Sequence, residues 1–181
     1  RRVAEENFRK NLLFTSAAAS AEHTTLPERS VDLITVAQAF HWFDRDAFRE
    51  ECRRILKQGA YAALVWNSRD ENSALVAEND RINRKYCPAF KGFSGGTRGP
   101  AADDDFHDFF TGGHEKKIFP NNLLFDQSGF IGRNLSASYS LKEEDEQYGA
   151  YVTDLEALFE KHAVNGTVTM PNFTQSFTGR V

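Results

Sequence analysis

The stretch Val31-Asp-Leu-Ile-Thr-Val-Ala37 constrains the fold more than any other part of the chain. It is almost continuously apolar and β-branched, which suits a parallel strand covered on both faces. A second stretch of the same kind runs from Ala60 to Trp66. Between them Phe48, Cys52, Ile55 and Leu56 recur at helical spacing. Asp44 stands where that helix needs a cap, and Asp46 lies in its first turn, where the helix dipole favours negative charge. Gly59 stands where a helix C-terminus favours glycine. Strand, helix and strand with short joints make a right-handed parallel crossover. The fold class is therefore α/β, a layered sheet with packed helices.

The remaining elements follow from the same periodicities. Arg1–Lys10 reads as a helix with Val3, Ala4 and Phe8 on one face, and Leu12–Thr15 as a short strand. Ser73–Tyr86 reads as a helix. Gly92–Gly113 mixes glycines, the run Asp103-Asp104-Asp105 and clustered aromatics, which indicates an irregular insertion or lid. Lys117–Phe125 resumes strand character, and Ser128 caps a helix that reaches Ala137. Glu143–His162 is amphipathic, with Tyr151, Leu155, Leu158 and Phe159 facing inward, and Thr167–Val181 is a terminal strand. The expected organisation is one domain over 1–181: a core part (1–66), an insertion or lid (67–115) and C-terminal strands and helices (116–181).

Composition narrows the function classes. A formal charge of -4 without a basic stripe argues against nucleic acid as partner. No apolar run approaches the roughly 20 residues that a membrane crossing needs, and no signal-peptide pattern opens the chain. Cys52 and Cys87 have no metal-ligand or redox spacing and read as reduced thiols of a cytoplasmic protein. His107, His114 and the Asp103–Asp105 run fit no ligand pattern, so no metal is expected. Gly95-Gly96 and Gly112-Gly113 neither follow a strand nor open a helix, and so are not phosphate cradles. Sixteen Phe residues mostly build core, with some available to line a pocket for an organic substrate.

The segment Ser30-Val-Asp-Leu-Ile-Thr-Val-Ala-Gln-Ala-Phe-His-Trp-Phe-Asp44 resembles the fourth-strand region of class I S-adenosylmethionine-dependent methyltransferases. It looks closest to the type 11 branch that includes trans-aconitate methyltransferase and relatives near quinone biosynthesis. Cys52-Arg-Arg-Ile-Leu-Lys-Gln-Gly59 matches the family's helix and "LKPGG" turn, with Gln58 in place of Pro and Ala60 in place of the second Gly. Ala21-Glu22 and Leu26-Pro27 match its "DAE…LP" stretch, with Ser20 where Asp is common. The resemblance is specific over residues 20 to 66 and weak beyond 115. It implies a Rossmann-like sheet of seven strands in the order 3-2-1-4-5-7-6, with Leu12–Thr15, Val31–Ala37 and Ala60–Trp66 as strands three, four and five. The first two strands are then missing from this chain. So are the glycine-rich turn and the acidic residue that hold the cofactor's methionine and ribose ends. Because the chain opens at Arg1 inside a helix, an upstream segment is expected.

The resemblance further implies S-adenosylmethionine as cofactor. Ser20, Ala21 and Glu22 would form the adenine slot. Ala37, Gln38 and Ala39, leaving the carboxyl end of a strand, would border the methionine part and the transferable methyl. His41, Trp42 and Phe43 follow directly. Aromatic faces favour a nearby sulfonium, and His41 is the candidate catalytic residue, able to orient an acceptor or take its proton. By analogy with acceptor-binding elements of this branch, Arg133 and Tyr139 would meet an acidic substrate, Arg133 matching a carboxylate's fork. The expected reaction is methyl transfer to a small organic acceptor through oxygen or carbon, that acceptor being the partner; a homodimer is left open. The alternative is a catalytically inactive methyltransferase-like module used for assembly or regulation. A nicotinamide-dependent oxidoreductase is a weaker third reading, because it gives His41-Trp42-Phe43 no role.

Overall fold

Val31–Ala37 forms a strand over the span its composition predicts, here β1, in a computed structural model that describes residues 1–93 and 106–181. Before it stands α1 (Arg2–Phe8), and after it come a 3-10 turn (Phe40–Trp42), α2 (Arg45–Ile55) and β2 (Leu56–Arg69). The chain continues with α3 (Ala74–Tyr86), β3 (Thr111–Pro120), β4 (Leu123–Phe125), α4 (Gln127–Leu135), α5 (Tyr148–His162), β5 (Val168–Met170) and β6 (Asn172–Arg180). A four-stranded sheet runs in the order β1-β2-β6-β3. Strands β4 and β5 form a separate antiparallel ribbon, with Leu124 opposite Thr169. The fold is mixed α/β around a central sheet.

Two compact units make up the chain. The first comprises Arg1–Leu64, Asp108–His114 and Thr178–Val181. Its helix α2 buries Phe48, Cys52 and Ile55, a three-to-four-residue spacing that turns one stripe inward, and Asp44 Oδ1 caps it by accepting the Ala47 amide at 3.1 Å. Burial, reinforced by the Glu51 charge, pushes the Cys52 thiol up to about 12, so it packs as an apolar group and is no nucleophile. Gly179 in β6 is required by packing: a Cβ there would stand 2.7 Å from the Phe110 ring and 2.8 Å from the Gly113 carbonyl oxygen.

The second unit comprises Val65–His107 and Glu115–Phe177. Helices α3, α4 and α5 pack together over the β4–β5 ribbon around Val76, Phe130, Tyr151, Leu155 and Met170. Tyr151, Leu155, Leu158 and Phe159 are buried, the inward face predicted for α5. Tyr151 Oη donates to Asn83 Oδ1 at 2.7 Å inside this core. Tyr151→Phe is expected to lower stability by about 1–2 kcal/mol, because the buried acceptor then has no donor. An unchanged urea midpoint would show that the pair contributes nothing.

Several boundaries differ from expectation. Leu12–Thr15 is not a strand: Leu12 and Leu13 are 97% and 96% exposed, and no strand among the described residues pairs with them. A short apolar run without a ladder partner has no reason to stay extended. Likewise α1 buries none of its residues, so Val3 and Phe8 face outward. β1 lies at the sheet edge and fully buries only Val36, instead of being covered on both faces. Gly59 does not end α2. It sits inside β2 at φ 80°, and β2 is longer at both ends than Ala60–Trp66. Asp126, not Ser128, caps α4, accepting the Gly129 amide at 2.7 Å while the Ser128 hydroxyl donates to the same carboxylate. Helix α5 begins at Tyr148 rather than Glu143, after a turn closed by Asp145. Pro171 separates β5 from β6 within the expected terminal strand. The Asp103–Asp105 run and Gly95-Gly96 lie outside the described residues. Phe106, Phe109 and Phe110, which follow, are buried.

Candidate functional site

Nine of the predicted site residues fall in the first unit, around the exit of β1 and the start of α2. At the carboxyl end of β1 the backbone turns sharply. Gln38 adopts φ 55°, a left-handed conformation uncommon outside glycine, and Ala39 leads into the 3-10 turn. Strain of this kind persists where surrounding structure holds it, and it concentrates at ligand sites. Ala37 and Gln38 are exposed at that strand end, and Ala39 is half-buried.

The turn carrying Ser20, Ala21 and Glu22 is fastened beside this exit by two carboxylates. Glu22 Oε1 accepts the Asp44 amide at 3.2 Å, joining the turn to the first residue after Phe43. Further along, Glu51 Oε1 accepts from the Thr24 amide at 2.8 Å and the Thr24 hydroxyl at 2.6 Å. Both Glu51 oxygens also accept from Arg54, each at 2.8 Å. These hydrogen bonds, chiefly those from Arg54, hold the Glu51 carboxyl at about 2 although its burial opposes them. Ser20 itself bridges to His23 and stays exposed.

The aromatic triplet divides into an anchor and an exposed pair. Phe40, at 1% exposure, is the buried residue of the turn and meets Phe43, Phe48 and Phe109 at centroid distances of 6.5, 6.1 and 4.9 Å. His41 and Trp42 face solvent, Trp42 at 77% exposure, their rings 4.8 Å apart. Phe43 is half-buried against Phe48. An exposed imidazole beside an exposed indole can touch a ligand, while Phe40 fixes the backbone between them.

Arg133 and Tyr139 belong to the second unit. The Arg133 guanidinium is exposed and lies 5.8 Å from the Phe125 ring, and Tyr139 packs 4.7 Å from Phe90. Both act electrostatically on Arg69, the last residue of β2. Arg69 was absent from the sequence candidates because the strand was expected to end at Trp66. The signal was an arginine at the carboxyl end of a buried strand.

Comparison with known proteins follows the sequence pattern. The methyltransferase domain family matches residues 1–64. An uncharacterized methyltransferase-like protein of Schizosaccharomyces pombe is 38% identical over 76 residues, covering 40% of this chain and 30% of that protein. An uncharacterized methyltransferase of Mycobacterium bovis is 44% identical over 63 residues, 35% of this chain and 26% of that protein. The matched stretch thus spans less than a third of either relative. Among solved structures, one from Anaeromyxobacter dehalogenans, assigned as a type II methyltransferase, superposes with a TM-score of 0.60 at 24% identity, covering 97% of this chain and 77% of that one. Another, assigned as a methyltransferase of Bacillus halodurans, gives a TM-score of 0.50 at 16% identity over 98% of this chain and 76% of that one. These two show the fold, and the family match covers the segment that carries the β1 exit and the 20–24 turn. Through that segment, residues 1–64, the chain is similar to the methyltransferase domain family.

Proposed function

We propose that this chain carries one flank of an S-adenosylmethionine site and transfers a methyl group to a small organic acceptor, through oxygen or carbon. The observation that carries the reading is the left-handed backbone of Gln38 at the carboxyl end of β1, beside a turn that Glu22 fastens to the Asp44 amide. The residues present fit that flank. Ser20 and the Ala21 amide would face the adenine edge, with Glu22 setting the turn. Ala37, Gln38 and Ala39 would border the methionine end.

When bound, the cofactor supplies a methyl on a cationic sulfur, ready for in-line displacement. The chain's own contribution is position and dryness. Phe40 holds the turn rigid, Trp42 and Phe43 offer apolar faces to a cation, and His41 orients the acceptor or accepts its proton at an imidazole nitrogen. Arg133 and Tyr139 would contact the acceptor, a carboxylate matching the arginine's fork. No helix among the described residues is long and apolar enough to cross a membrane.

Gln38→Val tests this directly, since a β-branched residue resists φ 55°. S-adenosylhomocysteine affinity, read by calorimetry, is expected to fall about tenfold or more, a loss of roughly 1.4 kcal/mol. Gln38→Gly, which tolerates the conformation, is expected to retain affinity. Equal binding by both variants would remove the strand exit from the site.

A further inference from the structure

Arg69 has the surroundings of a ligand-binding cation. Its Nε is shielded from solvent and makes no hydrogen bond. One face of its guanidinium lies 4.0 Å from the centroid of Phe93. Burial pushes its pKa down, the Arg133 charge pushes it the same way, and Tyr139 opposes them; no carboxylate among the described residues enters the balance. Three other cations of the second unit each have a carboxylate partner: Arg84 with Asp80, Lys85 with Asp154 and Lys161 with Glu78. Burial raises the Tyr139 pKa, which keeps its hydroxyl a donor at neutral pH. Asp80, the one carboxylate that acts on Tyr139, is already engaged by Arg84. Two arginines and a phenol thus lie within electrostatic reach of one another, among the rings of Phe90, Phe93 and Phe125. Like charges so placed repel unless an anion joins them.

We propose that Arg69, together with Arg133 and Tyr139, binds the carboxylate of an apolar organic acid. This carboxylate site stands independently of the methyltransferase reading above. A guanidinium presents its donors in a plane that matches two carboxylate oxygens. The aromatic rings suit an alkyl or aryl body, from which inorganic phosphate, strongly hydrated and without such a body, gains nothing.

Benzoate titrated calorimetrically into the protein is the test, with benzamide and inorganic phosphate as controls. Benzoate is expected to bind more tightly than about 10 mM, and R69Q to weaken it about tenfold or more, with a smaller loss in R133Q. Benzamide and phosphate are expected not to bind. Failure of benzoate to bind, equal binding of either control, or R69Q binding as the native protein does would overturn the site. R69M separates ligand binding from folding: a guanidinium whose shielded Nε makes no hydrogen bond predicts that this variant melts no lower than native, whereas a lower melting temperature would make Arg69 structural and sink the proposal. S-adenosylhomocysteine is titrated in parallel. If benzoate binds through Arg69 and S-adenosylhomocysteine does not bind, the carboxylate site stands and the methyltransferase reading fails. If S-adenosylhomocysteine binds and benzoate does not, the methyltransferase reading stands and this proposal fails.

Discussion

Phe40→Ala is expected to destabilise the protein by about 3–5 kcal/mol, the range for removing a buried aromatic and leaving a cavity. Phe40 is almost wholly buried and packs edge-on against Phe43, Phe48 and Phe109, with the Arg45 guanidinium 5.2 Å above its ring. Phe48 and Phe109 are stacked with each other at 5.6 Å, so the hole cannot close by one ring sliding in without breaking that stack. Because Phe40 lies between Ala39 and His41, the loss should extend to function, and S-adenosylhomocysteine affinity should fall with stability. Phe40→Leu retains most of the volume and is expected to cost about 1.5 kcal/mol or less in urea unfolding. A loss below about 1 kcal/mol for Phe40→Ala would show that the turn is not anchored by this ring.

Glu51→Ala is expected to cost about 2–4 kcal/mol, somewhat below the value for a fully buried pair because Arg54 can turn toward water. The substitution removes the acceptor for the Thr24 amide, the Thr24 hydroxyl and the Arg54 guanidinium together. The same group confers a pH dependence of known sign. Its folded-state pKa is depressed from 4.5 to about 2, so its contribution is complete above the ordinary carboxylate value and is lost as pH falls from about 5 toward about 2. Urea midpoints measured across that window should decline more steeply for the native protein than for Glu51→Gln. Parallel declines would mean that the carboxylate titrates elsewhere.

The parts of this fold legible in the sequence are those whose signal is local. Val31–Ala37 has a composition that only a strand satisfies, and Asp44 caps α2 because an aspartate side chain reaches the amide three residues on. Tyr151, Leu155, Leu158 and Phe159 repeat at a helix's spacing and are buried together. Leu12–Thr15 failed because its pattern says nothing of a partner, and a strand exists only within a ladder. Gly59 misled because a positive φ serves a helix end and a strand interior equally. That error shortened β2 at its amino end, and the expected stop at Trp66 left Arg69 outside the strand at the other end. Within the candidate site, the residues at the β1 exit were legible as a segment. The bond from Glu22 to the Asp44 amide, across 22 positions, was not, because no local pattern encodes it.

Titration of S-adenosylhomocysteine into the protein, alongside NADH, tests the methyltransferase reading directly. The account predicts saturable binding of S-adenosylhomocysteine, weakened by Gln38→Val, and no binding of NADH. Absence of S-adenosylhomocysteine binding, or binding of NADH in its place, would contradict it.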